Sequence, residues 1–342
     1  MGIRVWMHPK FNPTNKYNDL LSRSLENEGV EVREFSFKKI AKMKRGDVVH
    51  FHWIDSYYQK NNRWSMLVKS KIFFSFLYIL KLRGIKLVWT VHNLYPHDYK
   101  WPGLEKKIRA QMMRLCDKLI VAADSIKQEV VKEFGIAPEK IEIILHGHYY
   151  GAYPAHHLSY RKKYNIDENR LVFLFVGAVK EYKGVIPLLT DFTNLDDRNS
   201  NLIIAGKVYD GLEKSIMQFK GKNGVILDLR FIPDEELADL ILSSDFVVLP
   251  FKNITTSGSA ILAASLRKKI ICPSTPFMKE YFNDSIAIMY DGSDTNGLWN
   301  ALKGCMSDRK NKDIPDAAYR AFLSKLSWKK AGENIKNLYL SL

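Results

Sequence analysis

Leu171-Val-Phe-Leu-Phe-Val-Gly-Ala-Val-Lys-Glu-Tyr-Lys-Gly184 decides the fold. Leu171–Val176 is an unbroken apolar run that reads as a strand. Gly177 lets the chain turn tightly. Lys180 and Lys183 follow on a short loop, and Val185–Phe192 reads as a helix. Asn201–Ala205 is the next strand, so the segment is one strand–helix–strand unit. Downstream the pattern repeats, with a helix over Leu212–Phe219, a strand over Val225–Leu229, a helix over Asp234–Ser243 and a strand over Phe246–Pro250. A helix over Ser257–Leu266 and a strand over Lys269–Pro273 follow.

Upstream, Gly147–Lys163 is loop-like, with Gly151 and Pro154, and is the candidate linker. Before it the same alternation runs from the N-terminus. Strands are expected at Ile3–Met7, Val30–Phe35, Asp47–Trp53, Lys86–Val91, Lys118–Ala122 and Ile141–Leu145. Helices are expected at Asn15–Glu28, Trp64–Leu82, Leu104–Arg114 and Ser125–Phe134, with Gly29, Gly84 and Gly135 as stops for three of them. Alternating strands and helices predict parallel sheets covered on both faces. The fold class is therefore α/β, with two Rossmann-like halves, residues 1–150 and 151–325, and a terminal segment 326–342.

The composition agrees with two globular domains. The chain has 342 residues, 46% apolar and 26% charged, which excludes disorder, collagen and coiled coil for its bulk. Lys and Arg number 52 against 37 acidic residues, a net charge of +15 that favours an anionic partner: phosphate, nucleotide, nucleic acid or an acidic membrane surface. Residues 36–86 concentrate the excess, with 12 basic residues against Asp47 and Asp55. Cys116, Cys272 and Cys305 lie far apart, neither a disulfide framework nor a zinc pattern, and suit a reducing cytoplasm. Met1–Met7 runs into a strand-like segment and does not read as a signal peptide. The apolar run Ile72–Leu80 is too short to span a bilayer core of about 30 Å.

In open α/β sheets ligands bind beyond the carboxyl ends of the strands, so the loops after strands are the candidate sites. Gly177, Lys180 and Lys183 follow one strand, and two ammonium groups beside a helix start can neutralise a diphosphate. Thr255, Thr256, Ser257, Gly258 and Ser259 follow another and open an apolar helix, an anion site made of free N–H groups and small side chains. His92, His97 and Asp98 follow a third, where an imidazole or carboxylate can hold a sugar hydroxyl or act as a base. His146 and His148 follow a fourth, with no third ligand at metal-like spacing. His50 and His52 alternate on a strand and so share a face.

Five stretches carry a resemblance: Val176–Gly184, Asn201–Gly206, Phe231–Leu237, Ser244–Pro250 and Leu326–Trp328. In that order they resemble the GT-B glycosyltransferases, the C-terminal half being similar to family 4 and its relatives. His146–Tyr149, Tyr182–Gly184 and Thr255–Gly258 are similar to a β-1,4-mannosyltransferase-like subset. The resemblance implies two Rossmann-like domains facing a central cleft, with a C-terminal helix returning to the first domain. It implies a nucleotide-sugar donor bound mainly by the C-terminal half, with Lys183 on the phosphates, Lys180 standing in for the family arginine, and His92 lining the sugar site. The chain departs from the family at two positions, where the paired glutamates are replaced by Ser257 and Ser265. No metal or other cofactor is implied, because cationic side chains and a helix N-terminus stabilise the departing diphosphate. Asp98, Asp55 and His92 are the candidate bases for an inverting reaction.

The resulting expectation is a cytoplasmic, peripheral glycosyltransferase moving a hexose, first mannose from GDP-mannose and next a UDP-hexose, onto a lipid-linked glycan. Residues 36–86, with the apolar helix Trp64–Leu82 and its Lys69, Lys71 and Lys81, are expected to meet an anionic membrane surface. A nucleic-acid-binding protein is the reading of another class, but no recognition motif accompanies the charge. A non-catalytic sugar-nucleotide-binding partner is the third.

Overall fold

The computed structural model describes residues 2–13, 15–96, 99–251 and 255–342. It divides into two compact units, Met1–Gly147 with Leu326–Leu342, and His148–Lys325.

The first unit runs β1 (Arg4–His8), α1 (Tyr17–Asn27), β2 (Glu31–Glu34), β3 (Val48–Phe51), α2 (Asp55–Tyr58), α3 (Arg63–Leu82), β4 (Lys86–Thr90), α4 (Pro102–Leu115), β5 (Lys118–Val121), α5 (Asp124–Phe134) and β6 (Ile141–Ile143). Its strands are parallel, in the order β2-β1-β3-β4-β5-β6. The chain winds outward from β1 to β2 and then returns to the other side of β1, so the loops after β1 and β3 part at a topological switch point.

Parallel strands need cover on both faces. On one face α1 and the C-terminal helix Trp328–Leu340 close over the sheet, with Leu21, Leu25, Ile335 and Leu338 packed against Val5 and Met7. The two helices approach closely: the Ser24 hydroxyl donates to the Trp328 carbonyl at 2.5 Å. A Cβ on Gly332 would lie 2.2 Å from Ser24 Oγ, so glycine permits the contact. The Tyr339 hydroxyl then reaches His50 Nδ1 at 2.6 Å.

On α3, Asn62 caps the helix by accepting from the Ser65 N–H at 3.1 Å. Met66, Phe73, Phe74, Leu77 and Leu80 form its buried face. Helix α4 starts at Pro102, two residues before the sequence expectation, because proline at a first helical position lacks only an N–H that would have no helical partner.

The second unit runs α6 (Tyr160–Lys163), β7 (Leu171–Val176), α7 (Val185–Leu195), β8 (Ser200–Ala205), α8 (Glu213–Met217), β9 (Val225–Asp228), α9 (Asp234–Leu242), β10 (Phe246–Val248), α10 (Gly258–Ser265), β11 (Lys269–Pro273), α11 (Pro276–Tyr281), β12 (Ala287–Tyr290), α12 (Gly297–Ser307) and α13 (Asp316–Lys325). Its parallel order is β12-β11-β10-β7-β8-β9, a second switch point between β7 and β10. Every residue of β7, β8 and β11 is buried. Asp245 ties the base of this sheet by accepting from Arg161 at 2.7 Å, Lys312 at 2.9 Å and the Val172 N–H at 2.8 Å. Two parallel six-stranded Rossmann-like sheets result, and the C-terminal helix lies on α1.

Candidate functional site

In the second unit the switch point brings two of the expected loops into backbone contact. Gly177 leaves β7 with φ +135° and Gly206 leaves the adjacent β8 with φ +142°. A Cβ on Gly206 would lie 1.9 Å from the Gly177 carbonyl oxygen, so the two strand exits pass each other without side chains. The chain then makes a tight turn over Glu181–Lys183, and Gly184, at φ +70°, starts α7. A Cβ there would lie 2.1 Å from the carbonyl oxygen of Pro250, the residue that leaves β10. Glycine is thus what lets the lysine loop sit against the exit of β10.

That contact places Lys183. Its Nζ lies 4.0 Å from the centre of the Phe251 ring and 5.2 Å from that of Tyr182. Burial, and then the nearby Lys180 charge, lower its pKa to about 8. Among the described residues no carboxylate comes within ion-pair reach of it. Ring faces supply partial compensation for a half-buried ammonium, and an anion would supply the rest. Lys180 lies over Tyr209, 5.5 Å from the ring centre.

Beyond Phe251, residues 252–254 lie outside the description, and the chain re-enters at Thr255. Ser257 caps α10 by accepting from the Ala260 N–H at 3.1 Å and is only 3% exposed. Thr256, Gly258 and Ser259 are half-buried around the helix start. The Tyr149 hydroxyl stands 3.5 Å from where a Gly258 Cβ would be, so residues 148–150 and the start of α10 lie together. His148 is half-buried there, and its Nδ1 accepts from the Tyr150 N–H at 3.3 Å.

Two more of the expected donor residues are buried in their own units. Ser265 is 1% exposed, accepts from the Tyr149 N–H at 2.8 Å and donates to the Ile261 carbonyl at 2.6 Å. Its hydroxyl fixes the 148–150 segment to α10. His146 belongs to the first unit, where its ring lies 4.6 Å from Tyr17 and 5.7 Å from Trp328. Its Nδ1–H donates to the Gly147 carbonyl at 2.7 Å, and burial lowers its pKa to about 4.

The first unit gathers histidines at its own switch point. His50 bridges Tyr339 and the Thr90 hydroxyl, the latter at 2.7 Å. His52 Nδ1 and His92 Nε2 are 3.1 Å apart, and His92 stacks on Trp53 at 4.7 Å. Burial and the neighbouring His146 and His50 lower the His92 pKa to about 3. A base works best with a pKa near the working pH, so His92 is a neutral hydrogen-bonding group and a poor proton acceptor. Asp55 opens α2, half-buried, close enough for its charge to raise the pKa of Glu105. Asp98 and His97 lie outside the described residues.

Glu105 was not singled out from sequence. It is fully buried on α4, accepts from the Tyr58 hydroxyl and sits 3.5 Å from Arg109. Its spacing from Arg109 reads as an ordinary surface pair on a helix. Only the packing of α2 and α4 shows otherwise.

Helix α3 carries an outward apolar face as well as its buried one. Trp64 is 76% exposed and Leu82 88%, with Val68, Ile72, Tyr78 and Ile79 also exposed. At about 100° per residue these six fall within about 120° of the circumference, opposite the buried stripe. Lys69 and Lys71 are exposed beside them. Lys81 is not available to a partner, because it pairs with Asp117 at 2.7 Å. No helix among the described residues is long and apolar enough to cross a membrane.

With this geometry in hand, comparison with known proteins gives one consistent result. Residues 15–149 match the model of Glycosyltransferase Family 4, and residues 158–320 that of Glycosyl transferases group 1. A curated relative, the GDP-mannose:glycolipid 4-beta-D-mannosyltransferase of Xanthomonas campestris, is 26% identical over 96% of this chain and 88% of its own length. Among solved structures, the sucrose-phosphate synthase of Thermosynechococcus elongatus superposes with a TM-score of 0.74 at 13% identity, covering 100% of this chain and 99% of that one. HepE of Anabaena in complex with UDP and glucose superposes with a TM-score of 0.73 at 14% identity, covering 100% of both chains. At such identities the structural likeness shows the fold alone.

Proposed function

The chain belongs to the group 1 and family 4 GT-B glycosyltransferases, and from that premise we propose which sugar it moves and to what. It is a nucleotide-sugar-dependent glycosyltransferase. The reading adopted here is transfer of mannose from GDP-mannose to a growing lipid-linked glycan of a cell-surface polysaccharide. A UDP-hexose donor is the second reading, favoured by the bound UDP and glucose of HepE.

The observation that carries the donor assignment is Lys183, an ammonium held on a ring face, with a depressed pKa and no carboxylate beside it among the described residues. In this reading the diphosphate lies against Lys183, Lys180 and the start of α10, with Gly177, Thr256, Ser257, Gly258, Ser259 and His148 around it. Ammonium groups and helix N–H groups stabilise the negative charge that develops on the diphosphate as the sugar–oxygen bond breaks. No metal ion takes part. On the acceptor side His92, stacked on Trp53, orients a hydroxyl as a neutral partner, and Asp55 or Asp98 receives its proton if the reaction inverts. Support for the mannose and glycolipid assignment comes from the Xanthomonas relative, which carries both words in its name. A lipid-linked acceptor also fits the outward apolar face of α3 and its basic surroundings, which would hold the enzyme on the cytoplasmic leaflet.

The test is a thermal-shift and transfer screen with GDP-mannose, UDP-glucose, ADP-glucose and dTDP-glucose, since a bound ligand raises the melting temperature. GDP-mannose should give the largest shift and support transfer to lipid extracts. Lys183→Ala should weaken donor binding by about 1.5–3 kcal/mol, or about 10- to 100-fold. A stronger response to UDP-glucose would move the assignment to the second reading. Unchanged donor affinity in Lys183→Ala would remove the diphosphate from this loop.

A further inference from the structure

The first unit contains a cavity of about 700 Å³ that the donor chemistry does not use. It opens between the segment after β3 and the start of α4, and is lined by Gln59, Asn61, Tyr99, Trp101 and Glu105. Its volume lies within the range of ligand pockets. Both segments leave the carboxyl ends of strands, the edge of the sheet where α/β folds bind ligands.

Two buried polar atoms of the residues lining it have no partner among the described residues. Glu105 is 0% exposed, and its Oε1 is occupied by the Tyr58 hydroxyl and Arg109. Among the described residues its Oε2 accepts no hydrogen bond, and the Trp101 indole N–H donates none. A buried carboxylate oxygen without a donor costs about 1–3 kcal/mol or more, so this is an acceptor and a donor held ready. Gln59 and Asn61 add amides that can both donate and accept. Tyr99 and Trp101 add aromatic surface.

This set is suited to a ring that carries several hydroxyls and an apolar face. Both atoms are covered from water, so they meet a ligand only once the two side chains turn towards the cavity: a hydroxyl then donates to Glu105 Oε2, a ring or hydroxyl oxygen accepts from the Trp101 indole, and the ring's C–H face rests on an aromatic side chain. We propose that this cavity is a saccharide subsite that binds a hexose unit of the acceptor glycan, with Glu105 and Trp101 as its specificity-determining residues. The assignment rests on the transferase reading for the word acceptor, but the cavity's chemistry stands without it. Arg109 joins the subsite to the acceptor side of the unit: it contacts Glu105, lies over Trp89 at 5.1 Å, and donates to the Asn93 carbonyl, next to His92, at 2.6 Å.

The experiment has two arms. In the first, Trp101→Phe and Glu105→Gln are compared with wild type for acceptor KM, and for nucleotide-sugar affinity by calorimetry. Glu105→Gln should raise the acceptor KM at least about tenfold, the value of one lost hydrogen bond to a charged group, and Trp101→Phe about three- to tenfold, the value of a neutral one, with the affinity for the nucleotide sugar unmoved. Trp101→Phe keeps the ring and is expected to fold even where Glu105→Gln does not. In the second arm, the methyl glycosides of glucose, galactose and mannose are titrated into wild type and Trp101→Phe while tryptophan emission is followed. A saturable change present in wild type and absent in Trp101→Phe supports the subsite, even if no nucleotide sugar supports transfer, a result that would count against the proposed function instead. No Trp101-dependent change with any of the three sugars, or an unchanged acceptor KM in folded Trp101→Phe, overturns the proposal.

Discussion

At the scale of single residues, burial decides which groups carry charge. His92 and His146, pushed down to about 3 and 4, remain neutral at any ordinary pH and serve as hydrogen-bonding rings. Lys183, pushed down to about 8, is instead poised where a unit of pH matters. Its cationic form dominates below about 8 and its neutral form above. A diphosphate is fully ionised across this range and the N–H of a guanine or uracil base titrates only above about 9, so a loss of donor affinity between pH 8 and 9 that Lys183→Arg removes belongs to the lysine. Above that point binding must take up a proton, and the donor Kd should rise up to tenfold per pH unit until the pKa of the bound state is reached. Calorimetry in two buffers of different ionisation enthalpy reads the proton uptake directly. Lys183→Arg, whose guanidinium stays charged, should abolish both the pH dependence and the uptake. A flat Kd between pH 7 and 9.5 for the unmodified protein would show that Lys183 does not meet the phosphates. The stability of the free protein runs the other way. The unfolded chain holds its proton up to about 10.4, so this lysine disfavours the folded state below pH 8, and that penalty fades as pH rises towards 10.

At the scale of elements, the lysine loop proposed to hold the donor depends on one glycine. Gly184 combines φ +70° with a Cβ position 2.1 Å from the Pro250 oxygen, a backbone atom that cannot swing aside. Gly184→Ala is expected to cost about 1–3 kcal/mol for the backbone conformation, with the clash added to it, and to abolish nucleotide-induced stabilisation. Gly103→Ala, at the start of α4 with nothing within 4 Å of its added Cβ, is the matched control and should leave melting and nucleotide binding near wild type. Equal melting temperatures for the two variants would disprove the close contact. The same comparison marks what was legible beforehand. Strands such as Leu171–Val176 announce themselves through local hydrophobicity, and the glycines and lysines after them are local too, so the sheets and the loop after β7 could be read. Partners distant in sequence could not. Ser265 is claimed by Tyr149, Lys81 by Asp117 and Glu105 by Tyr58, and no periodicity within any one segment reports those pairings. The surroundings of His146 were hidden for a related reason: its ring packs on Tyr17 and Trp328, residues near opposite ends of the chain.

At the scale of the whole molecule, the uneven charge and the double-faced α3 make one argument. A helix that only supports its own sheet needs a single apolar stripe. Here Phe73, Phe74, Leu77 and Leu80 already supply it, yet Trp64, Val68, Ile72, Ile79 and Leu82 face outward. A water-facing apolar stripe has no folding benefit, but it suits a helix lying in the plane of a leaflet surface with that face sunk towards the acyl chains. The surroundings match the sign of an anionic surface, since residues 36–86 hold 12 basic side chains and two acidic ones. Each basic residue near such a surface contributes up to about 1 kcal/mol, and the apolar stripe adds a part that salt does not screen. The protein is therefore expected to bind vesicles containing phosphatidylglycerol and to release as salt is raised, while binding pure phosphatidylcholine vesicles weakly. Lys69→Glu with Lys71→Glu should weaken binding to the anionic vesicles by about one to two orders of magnitude, because each reversal replaces an attraction with a repulsion. Trp64→Ser should weaken binding to both vesicle types, as loss of an interfacial anchor does. Nucleotide binding should survive all three changes, since α3 and the donor loop belong to different units. Lys81→Glu is a poor probe of the surface, because it would first break the Asp117 pair and destabilise the helix end. Equal partitioning to charged and neutral vesicles, or to neither, would count against α3 as the docking face.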